Sequence, residues 1–215
     1  MLPRLSTNNA SGEYYLTDCV EFAKKREAFV SANPKIVLGA NTRKALLELN
    51  TIARNEIIEK HLENGVSFVA TDGIVIGADV KIGCDTTIYP NTVILGNTEI
   101  GEGCTIGANC HIENCKIGCN VRFDTVQAYN SVVEDNVKVG PFAQLRPGTI
   151  LHRGVKIGNF VEIKNSEIGE NTAAGHLTYV GDSDVGRGVN FGCGSITANY
   201  DGINKYRTTI GDHAF

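Results

Sequence analysis

The chain has 215 residues, 42% of them hydrophobic and 20% charged, and a net charge of −4. That length allows one large domain or two small ones, and the composition excludes a disordered chain. The negative balance argues against nucleic acid or an anionic membrane as the main partner. No apolar run is long enough for membrane insertion, and "MLPRLSTNNASGEYY" has no signal-peptide core, which points to the cytoplasm.

In chain order, "GEYYLTDCVEFAKKREAF" reads as a helix with Thr17 or Asp18 as its N-cap. "PKIVLG" reads as a short strand. "TRKALLELNTIARNEIIEKHLENG" reads as a long helix capped by Thr42, with Ala45, Leu46, Leu49, Ile52, Ala53 and Ile57 as its apolar stripe. Lys60 and His61 suit its C-terminal dipole, and Asn64 or Gly65 its C-cap. Residues 1–70 are too few to bury much of a core and read as the tail of a domain.

From about Ile74 the period becomes six. Ile76, Ile82, Ile88, Ile94, Ile100, Ile106 and Ile112 recur at that step, and small or β-branched residues follow four positions later. The pattern slips by a residue or two and returns through Ile117, Phe123, Val133, Val139, Leu145, Leu151, Ile157 and Ile163, then Ile168, Val180, Val185, Phe191 and Ile210. A hexapeptide period predicts a mainly β fold, a parallel β-helix over 71–215 preceded by a small α/β part with a long linker helix. Three hexads close a triangular coil. The aliphatics point inward, and Gly and Asn take corners of positive φ. Roughly eight coils at about 4.8 Å each give a prism on the order of 40 Å tall. Its end coils leave strand edges open and need a cap or a partner.

Seven cysteines without an export signal read as reduced thiols. Cys110, Cys115 and Cys119 match no common zinc spacing, and Cys104 and Cys110 read as small core hydrophobes.

Four stretches carry more chemistry than a β-helix needs: "GPFAQLRPGT" (Arg146), "GNFVEIKN" (Glu162, Lys164), "AGHLTYVGD" (His176, Tyr179) and "GVNFGCGSITANYDGINKYR" (Asn190, Asn199, Tyr200, Lys205). They lie about one coil apart, so they can stack at one corner. Cations for a phosphate, amides and hydroxyls for a sugar, and a histidine to take a proton suit a sugar phosphate. The plainer readings are solvated surface cations at Arg146, Lys164 and Lys205, and a corner histidine bonded to backbone at His176. "NYDGINKY" leaves the repeat, and loops that leave a solenoid are often functional.

The stretches "GEYYLTD", "GPFAQLRPGT", "GNFVEIKN", "GHLTYVGD" and "NYDGINKYRTTIGD" resemble the bifunctional N-acetylglucosamine-1-phosphate uridylyltransferase/glucosamine-1-phosphate acetyltransferase family over nearly the whole chain. The resemblance implies a left-handed β-helix, a homotrimer with sites between subunits, and acetyl transfer from acetyl-CoA to glucosamine-1-phosphate on the bacterial route to UDP-N-acetylglucosamine. His176 resembles the general base and Glu162 the nearby carboxylate that supports the site. Arg146, Lys164 and Lys205 resemble ligands of the phosphorylated sugar, Tyr179 and Asn190 ligands of the sugar itself. Asn199 and Tyr200 resemble residues at the acetyl group. Tyr15 and Thr17 resemble sugar contacts of the uridylyltransferase half, and Asn41 a magnesium ligand there.

Ala173 and Gln144 depart from the family, which usually has Lys and Arg at these positions, and both lower the positive charge near the site. The Gly-rich nucleotide loop and metal-binding Asp of the uridylyltransferase half are not in this sequence. Neither are the later coils that complete the acetyl-CoA site. The expectation is an internal fragment that keeps part of the sugar-phosphate site, transfers no uridylyl group and has little or no acetyltransferase activity. Two competing readings are a non-catalytic trimeric β-helix that binds sugar phosphate at most, and a γ-type carbonic anhydrase. The latter needs His111, His152 and His176 to converge, and their hexad register keeps them apart.

Overall fold

A computed structural model describes residues 4–33, 35 and 38–215. The chain divides into two compact units, Met1–Leu49 and Asn50–Phe215. In the first, the expected helix from Gly12 shrinks to a 3-10 helix, Leu16–Phe22. Thr17 and Asp18 lie inside it, and Tyr15 precedes it without a side-chain cap. None of its residues is buried, and a short helix without tertiary packing cannot offset its nucleation cost. The strand expected at "PKIVLG" falls outside the described residues, and among those described this unit contains no strand.

Helix α1 (Arg43–Glu63) starts as expected, the Ala45 amide donating to the Thr42 hydroxyl at 3.1 Å. It ends in a Schellman turn. Gly65 takes φ +82° and donates to the Leu62 carbonyl, and Val66 donates to that of His61. The stripe differs in detail. Leu46 and Ala53 are exposed, whereas Ile58 and His61 are buried. Burial, with Lys60 beside it, lowers the pKa of His61, so this ring packs as a neutral group instead of serving the helix dipole as a cation.

The second unit is a left-handed parallel β-helix. One face is a regular eight-stranded parallel sheet, and thirteen strands cover the other two. The seven hexad isoleucines from Ile76 to Ile112 are all buried, four of them completely, and Phe123, Leu145, Leu151 and Ile163 continue the stack. Each side chain so buried contributes about 1.5–3 kcal/mol. The small inward position holds hydroxyls that are satisfied: Thr86 and Thr92 donate to the carbonyls of Gly101 and Gly107, in the next coil, at 2.9 and 3.0 Å. Cys104 and Cys110 occupy the same position, and burial pushes the Cys110 thiol up to about 11, as befits a core hydrophobe.

The slips in the repeat are changes in coil length. Val75 pairs with Val93, 18 residues on, Thr105 with Arg122, 17 on, and Lys116 with Val132, 16 on. Asp184 pairs with Thr209, 25 on. The coil before it steps 17, from Glu167 to Asp184, so "NYDGINKY" belongs to an insertion of eight residues into an unbroken ladder. Asn91, Asn109, Asn120 and Asn136 do take the left-handed corners. The glycines after each isoleucine do not. At Gly101 a Cβ would lie 2.7 Å from the Gly118 carbonyl carbon and oxygen, and Gly83 and Gly107 are as tightly approached by the next coil, whereas Gly77 has ordinary room.

Gly101→Ala is therefore expected to cost about 1–3 kcal/mol by overpacking against backbone, read as a lower urea midpoint, even though its φ suits alanine. A second prediction concerns His152. Its Nδ1 lies 2.9 Å from Glu134 Oε1 and its Nε2 2.7 Å from Glu167 Oε1, residues of neighbouring coils. Glu167 first and then Glu134 raise its pKa against partial desolvation. A raised folded pKa gives stability that is complete below the unfolded value of about 6.5 and lost as pH rises through the folded one. The thermal midpoint should fall across that window, and His152→Gln should flatten the fall.

Candidate functional site

Two nine-residue strands, Lys156–Lys164 and Ala173–Gly181, pair along their length and bend around one edge of the prism. They put Asn159 beside His176 at the bend, Glu162 beside Tyr179, and Lys164 beside Gly181. Gln144 pairs with Glu162, so Arg146, two residues on, stands one coil from Lys164. The sequence expected all four stretches to stack at one corner. They separate instead into a bend around His176 and a cluster around Lys164, because two residues of strand, Leu177 and Thr178, lie between His176 and Tyr179.

At the bend, His176 is exposed and its Nδ1 lies 2.8 Å from Asn159 Oδ1. With an amide oxygen as acceptor, Nδ1 carries a proton, so in the neutral ring it is Nε2 that has the lone pair. The partner is therefore a side chain, not backbone. The corner is also strained. Phe142, Phe160 and Leu177 take φ of +57°, +54° and +44°, where bulky side chains rarely go. The two phenyl rings stack at 5.5 Å, and Leu177 directly follows His176. Such strain costs on the order of 1–3 kcal/mol per residue and gathers at functional sites.

In the cluster, Arg146 donates to Glu162 at 2.7 Å. The Tyr179 ring lies over Gly181, where a Cβ would collide with it. Lys164 Nζ lies 3.3 Å from Asp182 Oδ2, and the same oxygen accepts a hydrogen bond from Asn199 Nδ2. Asp182 Oδ1 accepts from Asn165 Nδ2 at 2.6 Å. These donors, Asn165 foremost, hold the pKa of Asp182 below the usual carboxylate value.

The loop closes on itself. Tyr200 and Lys205 form an antiparallel bridge, and Asp201 accepts from the amides of Ile203 and Asn204 at 2.8 and 2.7 Å. Tyr200 donates its hydroxyl to the Gly202 carbonyl at 2.6 Å. At the exit, Arg207 forks onto Asp184 at 2.6 and 2.5 Å and reaches the Asn165 carbonyl at 3.0 Å.

Not every expected residue joins these groups. Asn190 pairs with Ala173 on the first side of the bend, and Lys205 is held in the exposed loop. Gln144 lies directly beside Glu162, whereas Ala173 lies beside Lys156 and Asn190, away from Lys164. Tyr15, Thr17 and Asn41 lie exposed in the other unit, the Tyr15 hydroxyl bonded to that of Ser11. Among the described residues no three His, Cys, Asp or Glu side chains gather as a metal set. Asn41 brings one neutral amide to the magnesium role, which calls for carboxylates or phosphates, so nothing here fits magnesium. Sequence reasoning missed Asn159 and Asp182. Each stands 17 residues before a residue already singled out, His176 and Asn199, but a coil step of 17 at these positions is fixed only once the ladder is closed.

Residues 79–114 and 130–165 match the family described as "Bacterial transferase hexapeptide (six repeats)". The chain is 54% identical over 215 residues to the "Bifunctional protein GlmU" of Streptococcus pyogenes serotype M28, covering 98% of this chain and 47% of the relative. It is 46% identical over 218 residues to that of Lactobacillus johnsonii, covering 100% and 47%. The chain thus spans about half the length of the curated relatives it matches. Among solved structures, an Arabidopsis UDP-N-acetylglucosamine acyltransferase aligns with a TM-score of 0.54 at 17% identity, over 69% of this chain and 62% of that one, a likeness of fold. Along its whole length, then, the chain is related to a stretch of the bifunctional GlmU proteins, and its β-helix carries the hexapeptide repeat of bacterial transferases.

Proposed function

We propose that the β-helix serves acetyl transfer from acetyl-CoA to the 2-amino group of glucosamine-1-phosphate, toward UDP-N-acetylglucosamine. One observation carries the reading: His176, tied by Nδ1 to Asn159, stands at an exposed bend of the same strand pair that carries Lys164, with Arg146 one coil from that lysine. Only an unprotonated amine attacks a thioester. Nε2 takes the proton from the sugar amine, the nitrogen adds to the acetyl carbonyl, the carbon–sulfur bond breaks, and the proton passes from Nε2 to the leaving thiolate to give the coenzyme A thiol. Arg146 and Lys164 hold the phosphate, the latter with the ammonium donors that Asp182 leaves it. Glu162 acts through Arg146, which it orients, and Tyr179 stands against the sugar. Asn199 and Tyr200 serve the acetyl side, where an amide donor meets the developing oxyanion.

Asn190 and Lys205 stand apart from the cluster within one chain. That separation favours a homotrimer in which a neighbouring subunit brings them to the site, with the enzyme in the cytoplasm and no nucleic-acid or membrane partner. In the same reading residues 1–70 are the end of a nucleotidyltransferase domain with its linker helix, 71–215 the acetyltransferase β-helix, and magnesium belongs only to the complete uridylyltransferase half.

Calorimetry with glucosamine-1-phosphate tests the reading. Binding tighter than that of inorganic phosphate or glucosamine alone is expected, and equal or weaker binding overturns it. Placed in a full-length context, His176→Ala should slow thiol release from acetyl-CoA by roughly two to four orders of magnitude with little change in sugar-phosphate affinity. A rate held within a few fold would make His176 structural. Lys164→Ala should instead weaken sugar-phosphate binding, and unaltered affinity would return Lys164 to the solvated surface.

A further inference from the structure

Asp182 is 7% exposed, and no step of the chemistry above uses it. It nevertheless joins three segments of chain. Its carboxylate accepts from Lys164 and Asn165 in the coil before and from Asn199 at the entrance of the loop. Its amide donates to the Lys164 carbonyl at 2.9 Å, and its own carbonyl accepts from Thr208, at the loop exit, at 2.9 Å. Two residues on, Asp184 takes the Arg207 fork. Both feet of an eight-residue insertion therefore stand on one tripeptide, Asp182–Ser183–Asp184.

We infer that Asp182 is a positioning residue, setting the Lys164 ammonium and the Asn199 amide in one fixed relation while touching neither sugar phosphate nor acetyl group. The inference rests on the acetyl-transfer reading of the site. A carboxylate only accepts, so it dictates which end of the Asn199 amide turns inward: the NH2 group, with one hydrogen spent on Asp182 and one left for the acyl side. It takes one of the three donors of Lys164 and leaves two for a phosphate. Buried beside Lys164, it also keeps that ammonium from lying along the surface, so less side-chain freedom is lost when the phosphate arrives. The phosphate subsite and the loop, set by separate segments of chain, are in this way coupled through one group.

The test uses the 215-residue protein with Asp182→Ala and Asp182→Asn, and Lys164→Ala as the comparison. Glucosamine-1-phosphate binding is measured by calorimetry, and exchange of the Thr208 and Tyr206 amides reports on the loop. Asp182→Ala is expected to weaken binding roughly tenfold or more, the worth of a lost charge-assisted contact, and to speed both amides. Asp182→Asn keeps the volume and one acceptor, so it should fall between wild type and Asp182→Ala, and it serves in place of an alanine variant that fails to fold. In any variant with measurable acetyl transfer, KM for the sugar phosphate should rise and kcat should fall together, because both partners of Asp182 are displaced. If Lys164→Ala weakens binding while both Asp182 variants bind as wild type does, the positioning role is wrong and the functional reading stands. If wild-type protein fails to bind glucosamine-1-phosphate more tightly than phosphate alone, the functional reading itself falls.

Discussion

Burial of one aliphatic side chain per hexad fixes the place of every outward group on the β-helix. Ile88, Ile106 and Phe123 sit directly above one another with no exposed surface, and their strands pair residue for residue. Because side chains alternate along a strand, a slip by one residue would turn the whole apolar set outward. The stack therefore locks register, and register decides which outward residues become neighbours. Glu162 faces Tyr179, and Asn159 faces His176, for the same reason that Ile163 lies on Val180.

This constraint also explains how the fold carries an insertion. Coils of 16, 17 or 18 residues are tolerated because the extra residue is absorbed at a corner, where Asn or Gly takes a positive φ at little cost. An excursion of eight cannot be absorbed that way, and Val185 and Ile210 still pair across it. The loop is instead closed by its own bridge and the Asp201 turn, then fixed at its entrance by Asp182 and at its exit by Asp184. Self-closure lowers the ordering entropy that a partner or ligand would otherwise have to overcome.

The bend at His176 departs from the economy of the other corners. Where Asn109 or Asn136 would serve, the chain uses Phe142, Phe160 and Leu177 in the left-handed region. Phe160 and Leu177 lie within two nine-residue strands that pair along their length, and Phe142 directly precedes the strand beside them. Strain is thus carried within continuous strand pairing, beside a histidine whose ring meets a neighbouring side-chain amide.

The six-residue period determined the architecture by itself, since no other fold keeps large aliphatics at that step for so long; Ile76 through Ile163 went where the period placed them. Helix α1 and its caps were equally local and equally legible. The sequence also marked the chemistry-bearing residues, because Arg146, Lys164 and His176 exceed what an aliphatic prism needs. It did not determine their grouping. Coil length varies between 16 and 18 without a clear local mark, so only the closed ladder decides that Asn159 reaches His176, that Glu162 is spent on Arg146, and that Asp182 gathers Lys164 and Asn199. The glycines after Ile82, Ile100 and Ile106 show the same division: their identity was plain in the sequence, but its cause, contact with the next coil, exists only once the coils are stacked. Inward packing is set by neighbours along the chain, whereas a site on this fold is set by neighbours one coil away.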